Sequence, residues 1–140
     1  MVDGRSGRVK RCVIIVDGGC EGNPGEMRVG VILSGEDEKL WYRRDCGLGT
    51  SNRAEWLALI DGLKLASALG YSEVKVLTDS ELLAKQWSGE YKVRDENLKE
   101  LFQIAKMLEW GLKKVAVEWV GRDKVEAAHR LAKRELKRGG

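Results

Sequence analysis

The feature that most constrains the fold of this chain is the order in which strand-like and helix-like hydrophobic patterns follow one another. Three strand-like segments come first, at residues 11–17, 27–34 and 38–47, and a short polar connection typical of a hairpin joins the second to the third. From about residue 50 the apolar residues recur with helical spacing, and Gly70 supplies a helix stop. Strand-like and helix-like segments then alternate.

The second half of the chain adds the remaining elements. A β-branched strand at 74–78 leads into a helix near 79–88, Asp95 caps the next helix, and a strand at 114–120 and a helix at 123–137 follow. This order predicts an α/β fold with a five-stranded mixed sheet, in which strands 1–3 are antiparallel, strands 4 and 5 are parallel, and helices cover both faces. Ligands of such sheets usually bind beyond the carboxyl ends of the parallel strands.

Length and composition favour one domain. The chain has 140 residues, 43% of them hydrophobic, and we expect a flexible segment at 1–9 followed by a single domain at 10–138. Its apolar runs are too short to cross a bilayer and its N-terminus lacks a signal peptide pattern, which predicts a cytoplasmic protein without membrane contact. The spacing of Cys12, Cys20 and Cys46 predicts reduced thiols rather than a disulfide framework or a zinc site. The net charge of +3 is too small to indicate nucleic-acid binding by itself.

Two predicted parallel strands each end in an aspartate. Asp17 precedes a glycine-rich turn and Asp79 precedes a helix. Because the carboxyl ends of neighbouring parallel strands meet at one edge of the sheet, the two carboxylates are expected to lie close together. Each also has a purely structural interpretation, since Asp17 can stabilise a turn and Asp79 can cap a helix.

Glu55 lies within the apolar stripe of the first helix. At 100° per residue it aligns with Leu59, Gly62 and Ala66. The opposite side of the helix is polar and comprises Arg53, Asp61, Lys64 and Ser67. An ionised carboxylate in an apolar stripe costs several kcal/mol unless a cation or hydrogen bonds compensate. The alternative is that Asn52 is the N-cap and Glu55 reaches back to it in a capping-box-like pair.

Convergence of these three acids would favour a divalent-cation site. Their mutual repulsion would raise at least one pKa unless cations were bound among them. Oxygen-rich clusters of this kind prefer Mg²⁺ or Mn²⁺ to softer metals. Two such ions, about 3.5–4 Å apart, suit in-line hydrolysis of a phosphodiester.

Three motifs stand in order along the chain. They are Asp17-Gly18-Gly19-Cys20-Glu21-Gly22-Asn23-Pro24-Gly25, Thr50-Ser51-Asn52-Arg53-Ala54-Glu55 and Thr78-Asp79-Ser80. In order, spacing and placement they resemble the motifs of type 1 ribonuclease H, and the likeness covers almost the whole chain. Residues 89–98 further resemble the compact bacterial and archaeal members, in which a short loop replaces the family's basic helical protrusion.

The resemblance implies an endoribonuclease that cuts the RNA strand of an RNA/DNA hybrid, with two Mg²⁺ or Mn²⁺ ions, and leaves 5′-phosphate and 3′-hydroxyl ends. It implies metal binding and catalysis by Asp17, Glu55 and Asp79. The implied nucleic-acid contacts are Gly18, Cys20 and Asn23 at the RNA strand, Thr50 at a DNA phosphate, Ser51 and Asn52 in the minor groove, and Lys92 and Arg94 at further phosphates. A tight turn at 22–25 and an exposed polar loop around Lys92 are the structural alternatives.

The chain departs from the family at the fourth acid. Where the family has Ala-Asp-x-Leu-Ala, this sequence reads Ala128-His129-Arg130-Leu131-Ala132. Imidazole can bind a metal or exchange a proton, so we expect His129 to act in metal binding and catalysis, with weaker binding of one ion or a preference for Mn²⁺. A half-buried structural histidine is the alternative. The preceding loop lacks the histidine of many longer members, and Arg122 is expected to take over part of its role in substrate contact or product release.

Two classes of function remain open at this point. The first is a monomeric hybrid-specific ribonuclease, with activity on double-stranded RNA as a variant of it. The second is a catalytically weakened module that binds hybrid or double-stranded RNA, in which His129 marks lost catalysis. The three intact acids favour the enzyme.

Overall fold

The computed structural model describes residues 9–127 and residue 130, so His129 lies outside the described residues. The strands are β1 Arg11–Gly22, β2 Gly25–Ser34, β3 Lys39–Gly49, β4 Glu73–Thr78 and β5 Lys114–Trp119. The helices are α1 Ser51–Ala68, α2 Glu81–Ser88 and α3 Glu96–Trp110, and residues 122–127 are also helical. Among the described helices there is none with the length and apolar character that a membrane crossing requires.

The strands form one five-stranded mixed sheet in the order β3-β2-β1-β4-β5. The pairs β1–β2 and β2–β3 are antiparallel, whereas β1–β4 and β4–β5 are parallel. The predicted mixed sheet is therefore confirmed. The parallel pairing of β1 with β4 ends at Ile15 and Leu77, so both strands leave this pairing at the same edge of the sheet.

Helix α1 packs closely on the centre of the sheet. Gly62 permits the approach, because a Cβ at this position would lie 2.6 Å from Ile14 Cδ1. Trp56 is buried on the same helix, where its ring meets Phe102 of α3 edge to face and its Nε1 donates to Gln86 Oε1 at 3.2 Å. These contacts fix the rotation of α1 and with it the direction of Glu55.

The glycine-rich segment after Asp17 is mostly strand, which corrects the prediction that a turn begins directly after Asp17. Strand β1 continues to Gly22, pairs with β2 from the start of β2 at Gly25, and leaves only residues 23 and 24 as the turn. The pairing with β2 supplies backbone partners that the local sequence does not reveal.

Asp61 was predicted to lie on the polar side of α1, and this prediction is wrong. Its side chain is buried and accepts two hydrogen bonds from Arg44 of β3, from Nε at 2.8 Å and from Nη2 at 3.1 Å. A bidentate guanidinium compensates the buried carboxylate. The position of Arg44 depends on how β3 packs beside α1, which helical phase alone does not show.

Candidate active site

The structure brings together the three acids that the sequence singled out. Asp17 follows the last β1–β4 pair, Asp79 follows the last residue of β4, and Glu55 extends from the second turn of α1. One carboxylate oxygen from each residue lies within 4.8 Å of the others. Two neighbouring strands and the helix above them thus direct three carboxylates to one point at the sheet edge.

Glu55 is held in place by the β1 backbone. Its Oε1 accepts a hydrogen bond from Gly18 N at 3.1 Å, a contact made possible because Gly18 has no side chain. A Cβ on Gly18 would overlap the Ala54 carbonyl of α1. The motif glycine therefore allows strand and helix to approach until Asp17 and Glu55 face the same space.

The structural alternatives for two of the acids are wrong. The N-cap of α1 is Thr50, not Asn52, and its side chain accepts from Arg53 N at 3.2 Å, so Glu55 is no member of a capping box. The N-cap of α2 is Ser80, whose Oγ accepts from Leu83 N at 3.1 Å. Asp79 is therefore not the helix cap, and its carboxylate points to the acid cluster instead.

The carboxylates of the cluster repel one another despite the contacts that they make with protein groups. Burial, together with the charges of Asp17 and Asp79, raises the pKa of Glu55 to about 8, although the Gly18 hydrogen bond and the Arg122 charge act in the opposite direction. Hard carboxylate oxygens that repel one another are the donor set that Mg²⁺ and Mn²⁺ prefer. The three residues therefore fit a divalent-cation site.

The raised pKa of Glu55 predicts a pH-dependent stability of the ion-free protein. Because the folded pKa of about 8 exceeds the ordinary 4.5, the unfolded chain loses this proton first as pH rises, and stability falls between about pH 4.5 and 8. Glu55→Gln removes the ionisation, so its thermal midpoint in EDTA should exceed that of the wild type at pH 8 and vary less with pH. Glu100→Gln, an exposed change on α3, is the control. If the thermal midpoints of Glu55→Gln and the wild type changed equally with pH, the pH dependence would not come from Glu55.

Arg122 lies directly on the acid cluster. Its Nη1 donates to Asp79 Oδ2 at 2.8 Å. The connection that leads from β5 to Arg122 is fastened to β4, because Val120 N donates to the Thr78 carbonyl at 2.9 Å. The sequence predicted a nucleic-acid contact for Arg122 and missed its pairing with Asp79, which follows from the parallel alignment of β4 with β5.

The residues predicted to contact the hybrid at the hairpin and at the start of α1 lie together. Asn23 Oδ1 accepts from Ser51 N at 3.1 Å, and the Cys20 thiol donates to the Gly22 carbonyl at 2.7 Å. Asn23, Thr50 and Ser51 border one cleft of about 280 Å³. The rest of its lining is Asn52, Arg53, Asp95, Asn97 and Leu98, of which only Asn52 was predicted to contact nucleic acid.

Lys92 and Arg94, the predicted phosphate contacts, follow α2. Both side chains are exposed in the segment between α2 and α3. Lys92 borders a groove of about 360 Å³ whose lining includes Tyr91 and Phe102. Arg94 directly precedes Asp95, which lines the cleft at the start of α1, and the contact of both cations with nucleic acid stays a prediction.

Comparison with known proteins shows relatives along most of the chain. A family described as reverse transcriptase-like matches residues 15–135. The bifunctional protein Rv2228c of Mycobacterium tuberculosis is 37% identical over 125 residues, which are 87% of this chain and 34% of that protein. Ribonuclease HI of Halobacterium salinarum is 34% identical over 134 residues, which are 94% of this chain and 66% of the relative. The chain thus spans about a third of the first relative and about two thirds of the second.

Solved structures show the same fold. RNase H1 from Halobacterium salinarum superposes with a TM-score of 0.86 at 31% identity, covering 91% of this chain and 98% of that one. LC11-RNase H1, solved in complex with an RNA/DNA hybrid, superposes with a TM-score of 0.82 at 32% identity, covering 88% of this chain and 94% of that one. Because sequence, strand order and fold agree over nearly its full length, the chain belongs to the type 1 ribonuclease H family.

Proposed function

We propose that this protein is a metal-dependent endoribonuclease that hydrolyses the RNA strand of RNA/DNA hybrids. The observation that supports it most is the convergence of Asp17, Glu55 and Asp79, with one oxygen of each within 4.8 Å of the others. The relative LC11-RNase H1 was solved with an RNA/DNA hybrid, which supports this choice of substrate. Family membership and the acid cluster thus favour the same reaction class.

The three carboxylates would hold two Mg²⁺ or Mn²⁺ ions. The ions would supply an activated water and charge stabilisation for in-line hydrolysis, and the products would carry 5′-phosphate and 3′-hydroxyl ends. The protein contributes a rigid frame for these ligands. Asp17 and Asp79 are fixed by adjoining strands, and the Gly18 amide orients Glu55. His129, outside the described residues, remains a predicted fourth group.

Hybrid binding would use the surface next to the acids. Asn23 of the hairpin accepts from Ser51 N and borders the same cleft as Thr50, Ser51 and Asn52, and Cys20 lies in the same hairpin. A hybrid presents a wide, shallow minor groove in which 2′-hydroxyls distinguish RNA from DNA, and small polar side chains can contact it. Lys92 and Arg94 would bind phosphates farther along the duplex.

The proposal is tested by incubating the purified protein with end-labelled hybrid, double-stranded RNA and double-stranded DNA, each with Mg²⁺, Mn²⁺ or EDTA. We expect cleavage of the RNA strand of the hybrid with either ion, an intact DNA strand, and no cleavage in EDTA. Salt-sensitive duplex binding without cleavage under any condition would favour the binding module. Faster cleavage of double-stranded RNA than of hybrid would show a different substrate class.

A further inference from the structure

Asp79 has a positively charged partner within the protein. The guanidinium of Arg122 donates to Asp79 Oδ2 at 2.8 Å, a distance typical of a fully formed charge-assisted hydrogen bond. The two side chains differ in exposure, since that of Asp79 is 10% exposed and that of Arg122 is 62% exposed. The carboxylate is therefore fixed at the edge of the site, whereas the arginine reaches it from solvent.

The backbone at Arg122 is anchored, so only its side chain is free to leave. Val120 N donates to the Thr78 carbonyl at 2.9 Å, and residues 122–127 are helical. Val125, one turn along, is 1% exposed. Rotation of the exposed arginine stem would break the contact with Asp79 without moving the loop or the helix.

We infer that Arg122 competes with divalent cations for the carboxylate of Asp79, so that cation binding requires displacement of the guanidinium. The inference rests on the proposed function in one respect, that the three acids bind divalent cations. Arg122 and a cation seek the same carboxylate, and two positive charges within a few ångströms repel one another strongly. Solvent reaches this ion pair from the arginine side and weakens it, so a cation held by three carboxylates displaces the guanidinium.

This competition gives Arg122 two successive partners. In the ion-free protein the guanidinium reduces the repulsion among the acids, and its charge opposes the rise in the pKa of Glu55. Once displaced, it remains tethered next to the cluster, where the phosphates of a bound duplex would lie. Arg122 is therefore a positioning residue that lowers the affinity of the free protein for cations.

The inference is tested by titrating the nucleic-acid-free protein with Mn²⁺ and measuring free Mn²⁺ by electron paramagnetic resonance. Arg122→Ala should lower the Kd for Mn²⁺ about two- to fivefold, because the ion no longer displaces a guanidinium. Arg122→Lys, which keeps the charge but loses the planar fork, should fall between Arg122→Ala and the wild type.

Arg11 provides a matched control. Its Nε lies 2.9 Å from Glu73 Oε1, and the Arg11 side chain is 68% exposed. This pair lies where β1 and β4 begin, at the end of the strands away from the acid cluster. Arg11→Ala removes one exposed arginine and one ion pair, as Arg122→Ala does, and should leave the Kd for Mn²⁺ unchanged. Equal tightening in both variants would show a general charge effect and overturn the inference.

The inference fails separately from the proposed function. An Arg122→Ala protein that binds Mn²⁺ as the wild type does, or more weakly, or that does not bind it at all, overturns the competition. If the wild-type protein nevertheless cleaves hybrid, the proposed function stands without the inference. Tighter Mn²⁺ binding by Arg122→Ala, combined with failure of the wild type to cleave any duplex, would support the inference and refute the nuclease.

Discussion

Replacement of Asp17 by Asn is expected to reduce cleavage of an RNA/DNA hybrid by about a thousandfold or more while the protein stays folded. The amide has nearly the shape of the carboxylate, but it lacks the negative charge that a divalent cation requires. Asp17 is 6% exposed at the end of the β1–β4 pairing, and it supplies one of the three carboxylate oxygens that lie within 4.8 Å of one another. The loss should appear in kcat rather than in hybrid affinity.

The Asp17 prediction is checked by single-turnover cleavage of labelled hybrid in Mg²⁺ and in Mn²⁺, with circular dichroism to establish folding. Asp37→Asn is the control, since it makes the same chemical change at an exposed residue between β2 and β3. Its rate should match that of the wild type. Retention of most activity by a folded Asp17→Asn protein would exclude Asp17 from the catalytic site.

Replacement of Gly18 by Ala is expected to destabilise the protein by about 2–4 kcal/mol, because the added methyl group would overlap backbone rather than a flexible side chain. The overlapping atoms are the carbonyl of Ala54 and the amide of Glu55 in α1. Strand and helix would have to move apart, which would also separate Asp17 from Glu55. Both the free energy of unfolding, measured in urea, and hybrid cleavage should therefore fall.

Gly19 is the matched control for this change. It is the next residue of β1, yet a Cβ built on it meets nothing within 4 Å. Gly19→Ala should change the free energy of unfolding by less than about 1 kcal/mol. Equal urea midpoints for the two variants would mean that close approach of β1 to α1 does not determine the geometry of the site.

Much of the site was predictable because it depends on topology and on helical phase. The carboxyl ends of adjoining parallel strands must share an edge, so the sequence alone places Asp17 and Asp79 together. The apolar phase of α1 set Glu55 toward the sheet, since Leu59 and Ala66 on the same stripe are buried. Both predictions follow from periodic features that span many residues.

Other features depend on contacts between distant segments and could not be predicted. Thr50, Ser51 and Asn52 are all residue types that can cap a helix. Thr50 is the N-cap because β3 ends at Gly49 and α1 begins at Ser51. The burial of Asp61 requires Arg44 from another strand. The Arg122–Asp79 pair joins residues 43 positions apart, and it depends on the side-by-side exits of β4 and β5. No local pattern encodes these pairings.

The central claim is that Asp17, Glu55 and Asp79 bind divalent cations together at the edge of the sheet. A crystal soaked in Mn²⁺ and measured at the manganese absorption edge tests it most directly, because anomalous scattering locates the metal itself. We predict a strong peak within about 2.5 Å of carboxylate oxygens from these residues. An anomalous map with manganese bound elsewhere and nothing between the three carboxylates would contradict the claim.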